Sequence, residues 1–195
     1  EESDRLNRFI EGLSAAGQPE ASQPLSFRSV QLDDIMRAGL ARAETVTRDH
    51  GVQIELLGPM PALSVDAAAV TEVIYILLDN ASKYAPRGTS IRIRVSAEDS
   101  RHARIAVVDE GPGIPQELRE RVFEKFFRIP GRDPFDAGRP DGIGLGLPIA
   151  RRLVEAQAGQ IWIESNTTGH GTTVVMTLPF SQEVQQAEAG VAVAR

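Results

Sequence analysis

Two short alternating runs, Ile91 to Val95 and Arg104 to Val108, are separated only by a polar turn that holds Asp99 and Ser100. Apolar residues at every second position mark half-buried strands. A connection this short joins such strands antiparallel, because a parallel crossover needs a dozen or more residues. Helices alternate with strands elsewhere in the chain, yet neighbouring strands keep short links. Together these features predict an α/β fold: a two-layer α/β sandwich, with a mixed, mostly antiparallel sheet and helices on one face.

The remaining elements follow from periodicity and caps. A helix is predicted over residues 31 to 49, with Leu32, Ile35, Met36, Leu40 and Val46 near one face, and a strand over Val52 to Leu56. Asp66 caps the next helix, which runs to Tyr84 through Val70, Val73, Ile74, Leu77, Leu78 and Ala81. A glycine-rich turn from Glu110 to Pro115 leads into a helix through Phe123. A helix from Leu145 to Ala158 stops at Gly159, a C-cap, and strands at Gln160 to Glu164 and Thr172 to Leu178 close the domain. Between residues 128 and 144, Pro130, Gly131, Pro134, Gly138, Pro140, Gly142 and Gly144 make a long loop, and loops of this length in compact domains are functional lids or disorder.

Residues 1–13 carry Leu6, Phe9, Ile10 and Leu13 at helical spacing and read as the end of a longer helix. Residues 14–27 read as a linker, and residues 181–195 as a flexible tail. The formal net charge of −6 argues against a nucleic-acid partner. No run is apolar enough to span a bilayer and no signal-peptide pattern opens the chain. With no cysteine in the sequence, disulfides and thiolate chemistry are excluded, which suits a reducing cytoplasm.

Three polar features carry chemistry. Asp109-Glu110-Gly111-Pro112-Gly113-Ile114 sets a carboxylate at a strand end before two glycines. Glycine lets backbone approach a ligand closely, and a buried carboxylate there can accept a hydrogen bond from an exocyclic amine. Alone, the segment reads better as a plain turn, because short glycine motifs are common. Gly142-Ile143-Gly144-Leu145-Gly146-Leu147 opens a helix, whose first N–H groups favour phosphate. It lacks the Lys-Ser/Thr ending of a P-loop, and alone it reads as a flexible loop. Leu77 to Tyr84 places positions 76, 80 and 83 on one helical stripe, so Asn80 and Lys83 can face one ligand. An amide oxygen suits Mg²⁺ and a lysine suits phosphate, although a polar stripe is more often a solvated face.

In this order and spacing the set resembles the histidine kinase branch of the superfamily of gyrase-type, heat-shock chaperone and mismatch-repair ATPases. Leu77 to Tyr84 is similar to that family's N box, Asp109 to Ile114 to its first glycine box and Gly142 to Leu147 to its second. Phe123 to Arg128 is similar to the F box and Gly169-His170-Gly171-Thr172-Thr173 to a final glycine box. Some segments resemble the KdpD-like subgroup. The resemblance covers residues 28–180 and implies a Bergerat-type ATP-binding fold, with residues 1–13 as the end of a dimerisation helix.

It further implies ATP and Mg²⁺ as cofactors. Asp109 would bind the adenine amino group, with Gly111, Gly113 and Ile114 beside the base and Thr172 and Thr173 supporting it. Asn80 would ligate Mg²⁺, with Lys83 and Tyr84 flanking phosphates and ribose. Residues 128–144 would be the ATP lid, with Lys125 and Arg128 as phosphate contacts and Phe126 among the nucleotide-binding residues, and Gly142, Gly144, Leu145, Gly146 and Leu147 would meet the phosphates. The implied reaction is transfer of the γ-phosphoryl group to a histidine on a dimerisation domain. The implied partners are that domain and a response regulator, in a parent that is a homodimer and can be membrane-anchored.

Two departures stand out. None of His50, His102 and His170 lies in the family's acceptor signature, so each reads as a surface or turn histidine and the chain alone is not expected to autophosphorylate. One turn before Asn80, where many kinases carry Asn and the hydrolysing relatives carry Glu, stands Ile76, which can neither ligate a metal nor take a proton. A nucleotide-binding pseudokinase therefore remains an alternative, and a gyrase- or chaperone-type hydrolase a weaker one.

Overall fold

The structure is a computed structural model that describes residues 25–130, 143–164 and 170–181. The expectations for residues 1–13, for most of the linker and the tail, for most of the lid, and for Gly142 and Gly169 lie outside the described residues.

Ten elements follow in order: β1 (Arg28–Val30), α1 (Leu32–Ala43), β2 (Gly51–Leu56), β3 (Leu63–Val65), α2 (Ala67–Tyr84), β4 (Ser90–Ala97), β5 (His102–Val108), α3 (Gly146–Glu155), β6 (Ile161–Glu164) and β7 (Thr173–Pro179). Five strands form one sheet in the order β2-β4-β5-β7-β6. β2 runs parallel to β4 and every other neighbouring pair is antiparallel, as the short β4–β5 connection requires. α2 packs on β4 and β5, α3 packs on β6 and β7, and α1 lies against α2. The core sits between the layers: Ile91, Ile93 and Val95 of β4, Ile105 and Val107 of β5, and Met176 and Leu178 of β7 meet Ile74, Leu77 and Leu78 of α2.

α2 begins and ends where local chemistry dictates. The Asp66 carboxylate accepts from the Ala69 amide at 3.1 Å, an N-cap worth about 1 kcal/mol. Ala85 takes extended backbone before Pro86, and the helix stops at Tyr84. Burial pulls the Asp66 carboxyl up, but amides of Ser26, Ala69 and Ala68 together outweigh it and leave the group below its ordinary value.

Other expectations need correction. The helix expected to reach residue 49 ends at Ala43, where the Thr47 hydroxyl bonds the Ala43 carbonyl at 2.9 Å and the chain turns toward β2. The helix expected through Phe123 is two 3₁₀ turns, Gln116–Leu118 and Arg121–Phe123, neither with a side-chain cap. α3 ends at Glu155, and the left-handed residue after it is Ala158 (φ 57°) rather than Gly159. Gly159 is required for another reason, since a Cβ there would stand 2.1 Å from the Thr177 carbonyl oxygen. β1 and β3, a separate antiparallel pair, were not foreseen.

Candidate functional site

The site is built around the C-terminal half of α2, the turn after β5 and the start of α3. Asp109 follows the last residue of β5 and is 5% exposed. Its Oδ1 accepts from the amides of Gly111 at 2.7 Å and Thr172 at 3.0 Å, and its own amide donates to the Thr172 carbonyl at 2.9 Å. These bonds fix one carboxylate oxygen in place. Burial holds the carboxyl above its ordinary value, and the Gly111 and Thr172 contacts offset part of that shift. Thr173, the next residue, lies opposite Val108 in the β5–β7 register, so the strand pairing itself brings the final glycine box beside Asp109.

Gly111 admits no side chain. A Cβ there would stand 2.9 Å from both Asp109 Oδ1 and the Tyr84 carbonyl oxygen. The glycine turn is thus pressed against the end of α2, which carries Asn80, Lys83 and Tyr84. Gly113 follows in a left-handed conformation (φ 72°), against the Gly171 carbonyl, and Ile114 packs on the core.

Asn80 is half-buried on α2, and its amide faces the first residue of α3. Where a Gly146 Cβ would stand, Asn80 Nδ2 and Oδ1 lie 3.6 and 3.7 Å away and Ile76 Cγ2 lies 3.3 Å away. The amide oxygen and the helix N-terminus therefore flank one spot, with Leu145 buried at the N-cap position and Leu147 packed on the core. Ile76 closes the same spot with a methyl group and is 4% exposed. The Lys83 ammonium reaches Asp79 Oδ2 at 2.5 Å, one turn back on the same helix, so in this structure it is held by a carboxylate.

The F-box residues are divided. Phe123 is buried, with the Arg151 guanidinium of α3 over its ring at 3.9 Å. Phe126 is 62% exposed with a left-handed backbone (φ 64°), and its amide donates to the Gly144 carbonyl at 2.9 Å. Gly144 is left-handed too (φ 75°), and a Cβ there would lie 2.9 Å from the Phe127 carbonyl oxygen. This stitch ties the F box to the start of α3. Lys125 and Arg128 are exposed on the same segment.

Sequence reasoning missed two contributors. Asp79 was not seen as the partner of Lys83, although the i, i+4 spacing was a signal. His50 was read as a surface or turn residue, yet its ring nitrogens face two backbone carbonyls, those of Thr89 and Ser82.

Comparison with known proteins agrees with this geometry. Residues 65–182 match the family described as histidine kinase-, DNA gyrase B- and HSP90-like ATPase. The adaptive-response sensory kinase SasA of Synechococcus sp. (strain JA-3-3Ab) is 39% identical over 127 residues, covering 65% of this chain and 32% of the relative. The sensor histidine kinase WalK of Bacillus subtilis (strain 168) is 30% identical over 188 residues, covering 93% of this chain and 30% of WalK. The chain thus spans about a third of the length of these curated relatives. Among solved structures, the mycobacterial sensor histidine kinase MprB superposes with a TM-score of 0.67 at 27% identity, covering 79% of this chain and 97% of that one. Full-length ShkA, solved in complex with AMPPNP, superposes with a TM-score of 0.70 at 25% identity, covering 88% of this chain and 35% of that one. This chain has the Bergerat fold and belongs to the histidine kinase-, DNA gyrase B- and HSP90-like ATPase family, and its relatives there are sensor histidine kinases.

Proposed function

We propose that this domain binds ATP with Mg²⁺ and presents the γ-phosphoryl group to a histidine on a separate dimerisation domain, in a protein that signals to a response regulator. The observation that carries the reading is the cradle at Asp109. One carboxylate oxygen is fixed by two amides, the Thr172 hydroxyl adds a further bond, and the carboxylate so held would accept from an adenine amino group. Gly111, with no room for a Cβ, lets the turn close against Asp109 and the end of α2. The residues present fit the nucleotide. Gly144 and Gly146 would bring backbone close to phosphates at the start of α3, where helix N–H groups favour negative charge. Asn80 would hold the metal from the opposite side. Among the described residues no three His, Cys, Asp or Glu side chains form a metal cage. Mg²⁺ takes one or two protein ligands and completes its shell with phosphates and water, so a single amide oxygen from Asn80 fits it. Lys83 would leave Asp79 for a phosphate, and Tyr84 would border the ribose. Bound Mg·ATP supplies the phosphoryl group and neutralises its charge, and the chain contributes position and electrostatics.

The dimerisation-domain histidine and the response regulator follow from the family resemblance, and relatives named as sensor histidine kinases support that reading. Ile76 favours transfer over hydrolysis, because a buried methyl group stands where a water-activating base would be needed. It also keeps a second reading open, a nucleotide-binding module that no longer transfers. Phosphoryl transfer to a supplied dimerisation domain separates the two: a phosphorylated histidine after addition of Mg·ATP supports the kinase. Tight nucleotide binding without transfer leaves the pseudokinase.

A further inference from the structure

β2 is the open edge of the main sheet. It pairs with β4 on one side, and among the described residues no strand pairs with its other side. The Leu57 amide donates to the Val95 carbonyl at 2.8 Å. Successive peptide groups of a strand point to opposite edges, so Gln53, Glu55 and Leu57 direct their backbone groups to β4. Val52, Ile54 and Leu56 therefore hold their N–H and C=O groups out at the open edge. The same three side chains lie on the core face, in register with Ile91, Ile93 and Val95 of β4. The helical layer does not cover them fully: Ile54 and Leu56 are 39% and 52% exposed. Edge strands are ordinarily blunted by lysine, proline or an inward-pointing charge. β2 carries none of these. Its one charged side chain, Glu55, lies on the other face and accepts from Arg94 Nε at 2.8 Å.

We propose that β2 is an interface between two copies of this chain, paired antiparallel about a twofold axis at Ile54. That register sets Ile54 opposite the partner's Ile54, and Val52 opposite the partner's Leu56. Each of these pairs has its backbone groups turned outward, so each can exchange both hydrogen bonds. On the other face Gln53 meets the partner's Glu55, an amide donor against a carboxylate, and no like charges stand opposed. Moving the axis to Glu55 would set two carboxylates against each other. Moving it to Gln53 would leave Leu56 opposite the partner's His50. Ile54 is the axis that matches apolar to apolar along the strand. Leu56 then comes beside the partner's Val52, at the mouth of a groove that Val52 lines with Leu40, Ala41 and Thr47. A patch complementary to itself in this way is what an isologous dimer requires. No residue assigned to the nucleotide lies on β2, so the contact leaves that site open and does not depend on the nucleotide reading.

The test uses the whole chain, sedimented over a concentration series. A strand-edge contact is smaller than a standard interface, so a dissociation constant on the order of 0.1–1 mM is expected. Ile54→Lys sets two ammonium groups at the axis and should weaken association at least about tenfold. Gln53→Glu opposes carboxylates on both sides of the axis and should weaken it about fivefold, and adding Glu55→Gln should recover it. The chain has no cysteine, so Ile54→Cys supplies a single thiol. Opposed residues of such a pair stand about 5.5 Å apart at Cα, within disulfide reach, so mild oxidation should join Ile54→Cys to its twin. Gln53→Cys should cross-link only when mixed with Glu55→Cys. Amide exchange at Val52, Ile54 and Leu56 should slow as concentration rises. A chain that stays monomeric to about 1 mM would overturn the proposal. So would edge amides that exchange fast at every concentration, or slowly at every concentration because another part of the chain holds the edge. A dimer that Ile54→Cys does not cross-link would overturn the β2 assignment. If Ile54→Lys does not fold, the Gln53→Glu and Glu55→Gln pair and the cross-links decide.

Discussion

The two ends of the candidate site are built differently. At the Asp109 end every part is tied to the core. The carboxylate is buried at the end of a central strand, two amides fix it, and Gly111 is wedged against α2. At the α3 end the side that borders the F box is exposed and joined by glycine, although Leu145 and Ile76 behind it are buried. Phe126 and Ile143 are 62% and 56% exposed, and left-handed Gly144 makes the link. The first end is therefore preformed by packing, whereas the second depends on short turns that few buried contacts restrain. A base that must be recognised by one hydrogen bond benefits from a rigid wall. Phosphates that must be delivered elsewhere are suited by a looser border.

Variants at each end test this contrast. The largest effect is expected for Asp109→Asn. The Gly111 and Thr172 amides can still be met by the Asn oxygen, but the second position becomes an N–H donor facing the adenine amino group. ADP affinity should fall about a hundredfold by calorimetry. Stability should not fall with it. Burial holds the Asp109 carboxyl above its ordinary value of 3.8, so the protonated form favours the fold below that pH and the benefit is lost as pH rises through the folded value. Asp66 has the opposite sign: its lowered carboxyl contributes above the unfolded value, and the contribution disappears as pH falls through the folded one. Denaturant melts across pH should show Asp109→Asn flattening the decline on the neutral side and leaving the acid limb, where Asp66 acts, unchanged.

Next comes Gly111→Ala. The new methyl group meets backbone at 2.9 Å, which a side-chain rotation cannot relieve, so about 1–3 kcal/mol of stability should be lost together with ADP affinity. A variant as stable as the parent would show that the wall is softer than its contacts imply. Asn80→Ala sharpens the other end. Affinity without Mg²⁺ should stay as it is, while the gain from adding Mg²⁺, about tenfold, should vanish. If the gain persists, Asn80 does not hold the metal. The smallest effect belongs to Phe126→Ser, which removes an exposed ring and should change thermal stability by no more than about 0.5 kcal/mol. A larger loss would mean that the F box is fastened more firmly than its exposure suggests.

Legibility in the sequence followed the range of the interactions. α2 was read from its Asp66 cap to about Tyr84, because a cap and an apolar period are local signals. The β4–β5 pairing was read from alternation and a short link. The 3₁₀ turns after Pro115 were read as a helix because apolar spacing alone does not distinguish a tight turn from a regular one. β1 and β3 escaped notice because each is three residues long and pairs with a partner far away in the chain. Within the site, residue types were legible and their environments were not. Asp109, Asn80 and the glycines were picked out by order and spacing, but nothing local says that Ile76 faces Gly146.

The sequence by itself determined the Asp66 cap of α2, the alternation of β4 and β5, which faces are apolar and which residue types line up for a nucleotide, since these depend on caps and periodicity over a few residues. Only the tertiary structure decided that Thr172 fixes the Asp109 carboxylate, that the start of α3 meets Asn80, and that His50 faces the Ser82 carbonyl. Those contacts join segments 32 to 66 residues apart. Burial and backbone approach across such distances are properties of the packed chain, and no short stretch of it carries them.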